Sequence, residues 1–250
     1  MSLLNEDFIH PKDKTLTEKI LQIKPLADWL ENAGELDEVC AYFYSASLPQ
    51  IVDETLIEMM TRACKSFKVP ATALYRTRTF EYNVVCVGYN NPVIVLPSVL
   101  LERNDRDIIQ GRLYSAASAI AAQHPKFEFL LWAFENIQGL PVINSTVKAL
   151  LYEWNRSKVY TLDRAFFLAT GDLELTMKNI LYGIVPFEWL ENFHFNSDDN
   201  TFLEQSERYF KNENPAQILG KVYGFFMDYA WLPTRYKEIK KFSEQRRAIQ

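Results

Sequence analysis

Histidine is scarce in this chain of 250 residues: His10, His124 and His194 are all there is, and no two lie four residues apart. That excludes the helical pair of imidazoles on which many zinc sites are built. Cysteine is as sparse. Cys40, Cys64 and Cys86 form no C-x-x-C pair, and an odd, scattered set is expected of reduced, mostly buried thiols in a cytoplasmic protein. Excess positive charge is also missing. The formal net charge is -5 and the pI about 5.4, so nucleic acid is not the expected partner. The tail from Arg235 to Arg247 is basic, but Glu238 and Glu244 are interleaved, which reads as a solvated helix face. No apolar run reaches the ~18 residues that cross a bilayer. VVCV, PVIVLPSVLL and FLLWAF are short or interrupted, and the opening MSLLNEDFIHPKDK is too polar for a signal peptide. A soluble chain without a membrane span is expected.

What is present suits a large core. Hydrophobic residues make up 48% and aromatics 14%, far from the composition of a disordered chain. Leu16, Ile20, Ile23, Leu26 and Leu30 recur at helical spacing, with Pro25 as a break and Gly34 as a stop. Pro49 fits the first turn of a second helix whose core stripe would be Ile51, Val52, Leu56, Met59, Met60 and Ala63. Pro70 closes it. ATALYRTRTF, YNVVCV and PVIVL are short, rich in β-branched and aromatic residues, and separated by turn formers. They predict a small sheet of two to four strands near residues 71–96. Asn104 or Asp105 then caps a helix, and helix dominates to the end. The fold class expected is α+β: one domain over 1–250, with a helical part over 1–70, the sheet over 71–96 and a helical remainder over 97–250.

Residues 113 to 124, LYSAASAIAAQH, are mostly Ala and Ser in a chain full of large side chains. Ser115 and Ala119 share one helix face and Ala116 lies beside them. Taken alone, this stripe fits close helix packing.

Several stretches, in order, carry more. FIHPKDKTL, NPVIVLPSVLLE, LYEWNRSKVYTLDRAFFLATGD and RYKEIKKF together resemble the zinc metallopeptidases of the HtpX and CAAX-prenyl-protease type, above all their soluble bacterial members. The resemblance spans about residues 8–242 and implies a zincin-like fold. It also implies that the active site is dismantled. The family's H-E-x-x-H falls on Ser115 through Ala119. Ser115 and Ala119 stand where His ligands belong, and Ala116 stands where the catalytic Glu belongs. Val159 replaces the third ligand, a Glu, and Tyr229 replaces a late His, whereas Asp163, Arg164, Arg235, Lys237 and Glu238 still match. Zinc lowers the pKa of bound water from 15.7 to about 7, and a general base adds ~10²–10⁴-fold. Without either, proteolysis by the family mechanism is not expected.

The resemblance therefore implies an inactive pseudo-metallopeptidase with no cofactor and no metal. It would act by binding a protein or peptide segment, with an active relative as one possible partner. The family adds an extended peptide to the edge of its small sheet, which corresponds here to Asn83, Val84 and Val85 and runs on to Val87. Asp163 and Arg235 complete the groove, with Asp163 expected to bond Ser115 or to pair with Arg164 or Arg235. Tyr114, Tyr160 and Tyr229 are expected to fill part of the vacated space. His10 is expected to make a structural hydrogen bond. His124 is expected to be a surface or capping residue ahead of Pro125, with metal ligation as the alternative. The rival reading is a peptidase or hydrolase with a relocated, non-family active site, either metal-dependent or hydrolytic; Ser115 as a nucleophile would need a base within reach, and Asp163 is the nearest candidate.

Overall fold

The computed structural model describes residues 8–78, 83–137, 145–182 and 232–248. The described chain is mostly helical with one three-stranded sheet, an α+β arrangement. Its helices are α1 Pro11–Leu21, α2 Lys24–Asn32, α3 Gly34–Ala46, α4 Glu54–Phe67, α5 Ser98–Glu102, α6 Arg106–Ala121, α7 His124–Asn136, α8 Ser145–Thr170, α9 Leu173–Tyr182 and α10 Leu232–Arg247. The strands β1 Leu74–Thr77, β2 Val85–Val87 and β3 Val93–Pro97 fall between α4 and α5. None of the described helices is long and apolar enough to cross a membrane.

Helix ends follow local chemistry. The His10 ring accepts the Lys12 N–H at the start of α1, with Pro11 in the first turn. Asp53 Oδ1 accepts the Leu56 N–H at 2.9 Å, and α4 ends at Lys68 with φ 56°. Asp105, rather than Asn104, caps α6 through the Ile108 N–H at 3.2 Å.

One expectation holds in part and one fails here. α2 does end ahead of Gly34, at Asn32 with Ala33 as its cap, but Gly34 is at once the first residue of α3. A Cβ at Gly34 would sit 2.8 Å from Asn90 Nδ2, so the glycine serves close approach to the β2–β3 turn. Pro49 does not open a helix. The chain from Pro49 to Ile51 runs extended along β1: the Ile51 N–H reaches Leu74 O at 2.8 Å, the Arg76 N–H reaches Pro49 O at 2.9 Å, and Gln50 bridges Tyr75. A proline tolerates a sheet edge because it has no N–H to leave unpaired. Val52, expected in a core stripe, is 80% exposed.

In the sheet, β3 is central. β1 pairs with it in parallel, Leu74 opposite Ile94, and β2 antiparallel, Val85 opposite Val95. Central placement explains why Ile94, Val95 and Leu96 are wholly buried. One apolar cluster joins this sheet to α4, α6, α8, α9 and α10 through Leu74, Leu96, Leu113, Ala117, Ala165, Ile180 and Tyr236. A second joins α1, α2, α7 and α8 through Ile20, Leu30, Phe127, Leu151 and Trp154. The long helix α8 contributes to both.

Candidate functional site

α6 and α8 pack along their length, and their contacts fix the register. Gln110 Nε2 donates to Ala169 O, a Cβ on Gly111 would strike Phe166, and Ser115 Oγ donates to Leu162 O at 2.9 Å. As numbers rise on α6 they fall on α8, so the helices are antiparallel. Small side chains let the backbones approach, and Leu113, Ala117 and Ser118 are buried with no exposure.

Toward the end of this contact the two helices part into a cleft of about 330 Å³. Ser115, Ala116 and Ala119 of α6 form one wall. Asn155, Lys158, Val159, Leu162 and Asp163 of α8 form another. Asn83, Val84, Val85 and Cys86, at the edge strand β2, complete it together with Arg112, Glu128, Asn179, Ile180 and Arg235. The cleft thus brings together Ser115, Ala116, Ala119, Val159, Asp163, Arg235 and the Asn83–Val85 stretch, singled out across more than 150 residues of sequence. Tyr229 lies outside the described residues, as does His194.

Asp163 and Arg235 form a bidentate pair. Arg235 Nε donates to Asp163 Oδ2 at 2.9 Å and Nη2 to Oδ1 at 2.7 Å. Asp163 is almost fully buried, and its charge holds the Arg235 guanidinium protonated against the cost of burial. Of the partners expected for Asp163, Arg235 is the one found. Arg164 instead turns to Ile9 O and to the face of Phe242. Lys158 Nζ pairs with Glu128 at 2.6 Å. Arg112 donates from Nη1 to Asn83 Oδ1 and from Nη2 to Asn179 O, both at 3.3 Å, tying the start of β2 to α6 and α9.

The chemistry this arrangement supports is narrow. Ser115 spends its hydroxyl proton on the Leu162 carbonyl, and both oxygens of Asp163 are held by Arg235. Among the described residues no base is therefore in place to activate Ser115. Burial, followed by the negative charges of Glu128 and Asp37, pushes the Cys86 thiol well up, so it is not a thiolate nucleophile. A zinc ion needs three or four N, S or carboxylate donors. Ser115, Ala119 and Val159 offer none, and the described residues contain no cluster of three His, Cys, Asp or Glu side chains that could hold a metal. The described residues do not supply the ligand set with which the resembled family holds zinc.

The tyrosine filling is overturned for the described members of the set. Neither Tyr114 nor Tyr160 lines the cleft. The Tyr114 ring packs edge-on to Phe67, its hydroxyl 3.3 Å from Ser66 Oγ, on the far side of α6. The Tyr160 ring lies tilted against His10, 4.8 Å between centroids. Each of these tyrosines points about 100° round its helix from the vacated position beside it, on a side that does not face the cleft.

The histidines settle into structural roles. His10 donates its backbone N–H to Thr161 Oγ1, and its Nε2 lies 3.1 Å from Glu238. Burial holds its pKa below the ordinary value although Glu238 pulls the other way. His124 is not at the surface. It is fully buried, with Nε2 2.8 Å from Asp13 Oδ2, an oxygen that also accepts from Thr161. The motif around His10 and Asp13 thus pins α1 to α7, α8 and α10. Sequence reading missed the Asp13–His124 pair because its members are 111 positions apart. Comparison with protein-family models, with curated proteins and with solved structures finds no match.

Proposed function

We propose that the chain is a pseudo-metallopeptidase: a single zincin-like domain, akin to the HtpX type, that binds an extended peptide segment and does not cleave it. The observation that carries this reading is the meeting of Ser115, Ala116, Ala119 and Val159 in one cleft beside β2. In the resembled family these positions hold the metal and the base. Here they hold a hydroxyl, two methyls and an isopropyl. Among the described strands β2 lies at the sheet edge, and Val85 is 38% exposed. Edge addition requires backbone hydrogen bonds and side-chain pockets but no metal, so it survives the loss of catalysis. The partner is then a protein or peptide segment, an active relative among them, in the cytoplasm.

A second reading draws on the same cleft. It stays open beside Asn155, Lys158 and Asn179, and Asn179 Oδ1 is buried without a hydrogen-bond partner. A small polar ligand or a relocated hydrolytic site would use such a space.

One experiment separates the two. The full chain is panned against a bead-bound random decapeptide library (about ten residues span an edge strand and its flanks). The captured peptide is then scanned by N-methylation. Edge addition predicts loss of binding at every second residue, no cleavage, and no zinc retained after dialysis. Stoichiometric zinc, or chelator-sensitive cleavage, would replace this reading with the enzymatic one. Methylation effects without a two-residue period would refute strand addition.

A further inference from the structure

α3 is amphipathic in the reverse sense. Its buried residues are Asp37, Ala41 and Ser45, small or polar, set against the β2–β3 turn. Asp37 Oδ2 accepts the N–H groups of Tyr89 at 2.8 Å and Asn90 at 3.4 Å, and Gly88 admits Ala41 so closely that a Cβ would lie 2.9 Å from it. The large apolar side chains all point outward. Leu36, Val39 and Phe43 follow one another at helical spacing on the face opposite Asp37 and Ala41, and Tyr42 and Tyr44 flank them. Tyr42 is 68% and Phe43 69% exposed. This helix buries its small polar face against the β2–β3 turn and α2 and presents large apolar side chains to solvent. Its apolar face contributes nothing to the fold as described, and a contiguous exposed patch of this kind marks an interaction surface.

The charge around the patch selects the occupant. Between Lys24 and Arg62 the sequence has no Lys, Arg or His, against eight Asp and Glu residues. Glu35 borders the stripe on the Tyr42 side, and Glu38 lies beyond Tyr42, where it accepts from Asn91 Nδ2 at 3.1 Å; both are exposed. A second copy docking through the same face would set these carboxylates against their own images, and an anionic membrane would be repelled. We infer that the outer face of α3 docks a basic amphipathic helix of a partner protein. The partner's apolar stripe covers Leu36, Val39 and Phe43, and its Lys or Arg residues meet Glu35 and Glu38. Helix against helix is the natural geometry for a straight, convex ridge, and complementary charge sets both rate and specificity. This surface is separate from the cleft and does not depend on the proposed peptide binding.

The probes are two synthetic helical peptides of about five turns, ~18 residues, with identical Leu/Phe stripes. One carries Lys and the other Glu on its flanks. Fluorescence anisotropy against the full chain should show binding of the Lys peptide and none of the Glu peptide. Val39→Ser/Phe43→Ser should weaken the Lys peptide by ~10-fold or more. Glu35→Lys/Glu38→Lys should weaken it similarly and reduce its salt dependence. Glu18→Lys/Glu58→Lys, a charge reversal elsewhere, should leave it unchanged. These positions are exposed, and circular dichroism with thermal melting confirms that the variants fold. The inference is overturned if both peptides bind alike, if neither binds, or if the α3 variants bind as the parent does. It is equally overturned if sedimentation shows a dimer that Val39→Ser/Phe43→Ser dissolves, which assigns the face to a second copy. Sedimentation with phosphatidylglycerol vesicles that the same variant abolishes would assign it to a membrane.

Discussion

Gly111→Ala should destabilise the protein, although alanine is the better helix former. A Cβ at this position would lie 2.4, 2.6 and 2.7 Å from Cε2, Cδ2 and Cζ of Phe166. Carbon atoms rest at about 3.5–4.0 Å, so the ring must retreat by roughly 1 Å. It has nowhere to go, because Phe166 is wholly buried. Helix propensity favours Ala over Gly by about 0.8–1.0 kcal/mol. Overpacking a tight core costs about 1–3 kcal/mol, and three simultaneous clashes with a rigid ring place this site toward the upper end. A net loss of about 1–2 kcal/mol follows from these two figures. Urea unfolding of Gly111→Ala, Phe166→Leu and the double variant measures it. The double variant should be more stable than the sum of the singles predicts, since leucine removes the ring edge that alanine strikes. A Gly111→Ala protein as stable as the parent, or more so, would refute the argument that α6 and α8 meet at this distance.

Breaking the Asp163–Arg235 pair from one side should be costly. Asp163→Ala strands a buried guanidinium and should lose about 3–5 kcal/mol, whereas Asp163→Leu/Arg235→Met should come near the parent. Denaturant midpoints decide, and equal losses in both variants would refute the pairing. Acid should weaken the fold in two stages. Burial keeps the folded pKa of His10 below its unfolded 6.5, so the unfolded chain takes up the proton first and stability falls as pH drops through 6.5. His10→Asn, which keeps a capping oxygen, should remove that stage. For Asp13, burial pushes the pKa up, but the charge and hydrogen bond of His124 together with Thr161 outweigh it and hold the folded value below 3.8. Its stabilisation, full above 3.8, is lost as pH falls through the lower folded value. Asp13→Asn should abolish this second stage, and midpoints measured across the acid range would show a single stage if either assignment is wrong.

What the sequence made legible was pattern, and what it hid was direction. The β-branched runs marked the small sheet, and the Asn104–Asp105 pair announced the start of α6, with Asp105 the residue that caps it. The small-residue run marked where two helices approach. Sequence could not say which way a residue turns. Tyr114 and Tyr160 stand next in sequence to cleft positions and point away from them. Pro49 suits a helix start and a sheet edge equally, because both positions lack a hydrogen-bond duty for the nitrogen, and only the pairing with Leu74 and Arg76 decided between them. His124 looked peripheral because its partner Asp13 lies in another helix. The reversed face of α3 was hidden by its composition, since Leu36, Val39 and Phe43 at that spacing read as core wherever the helix sits.

The extended run from Pro49 to Ile51 has one more consequence. Its bonds to Leu74 and Arg76 occupy the outer side of β1, so the described sheet is closed on that flank and offers β2 alone. Within the described sheet, the strand addition proposed above would take place on the cleft side. Two sheets that met through β2 would each present a sealed flank to the outside, and growth would stop at the pair. The Pro49–Ile51 run that occupies the outer side of β1 thus acts as a chain terminator, leaving one edge for recognition while covering the second edge of β1 that a fibril would need.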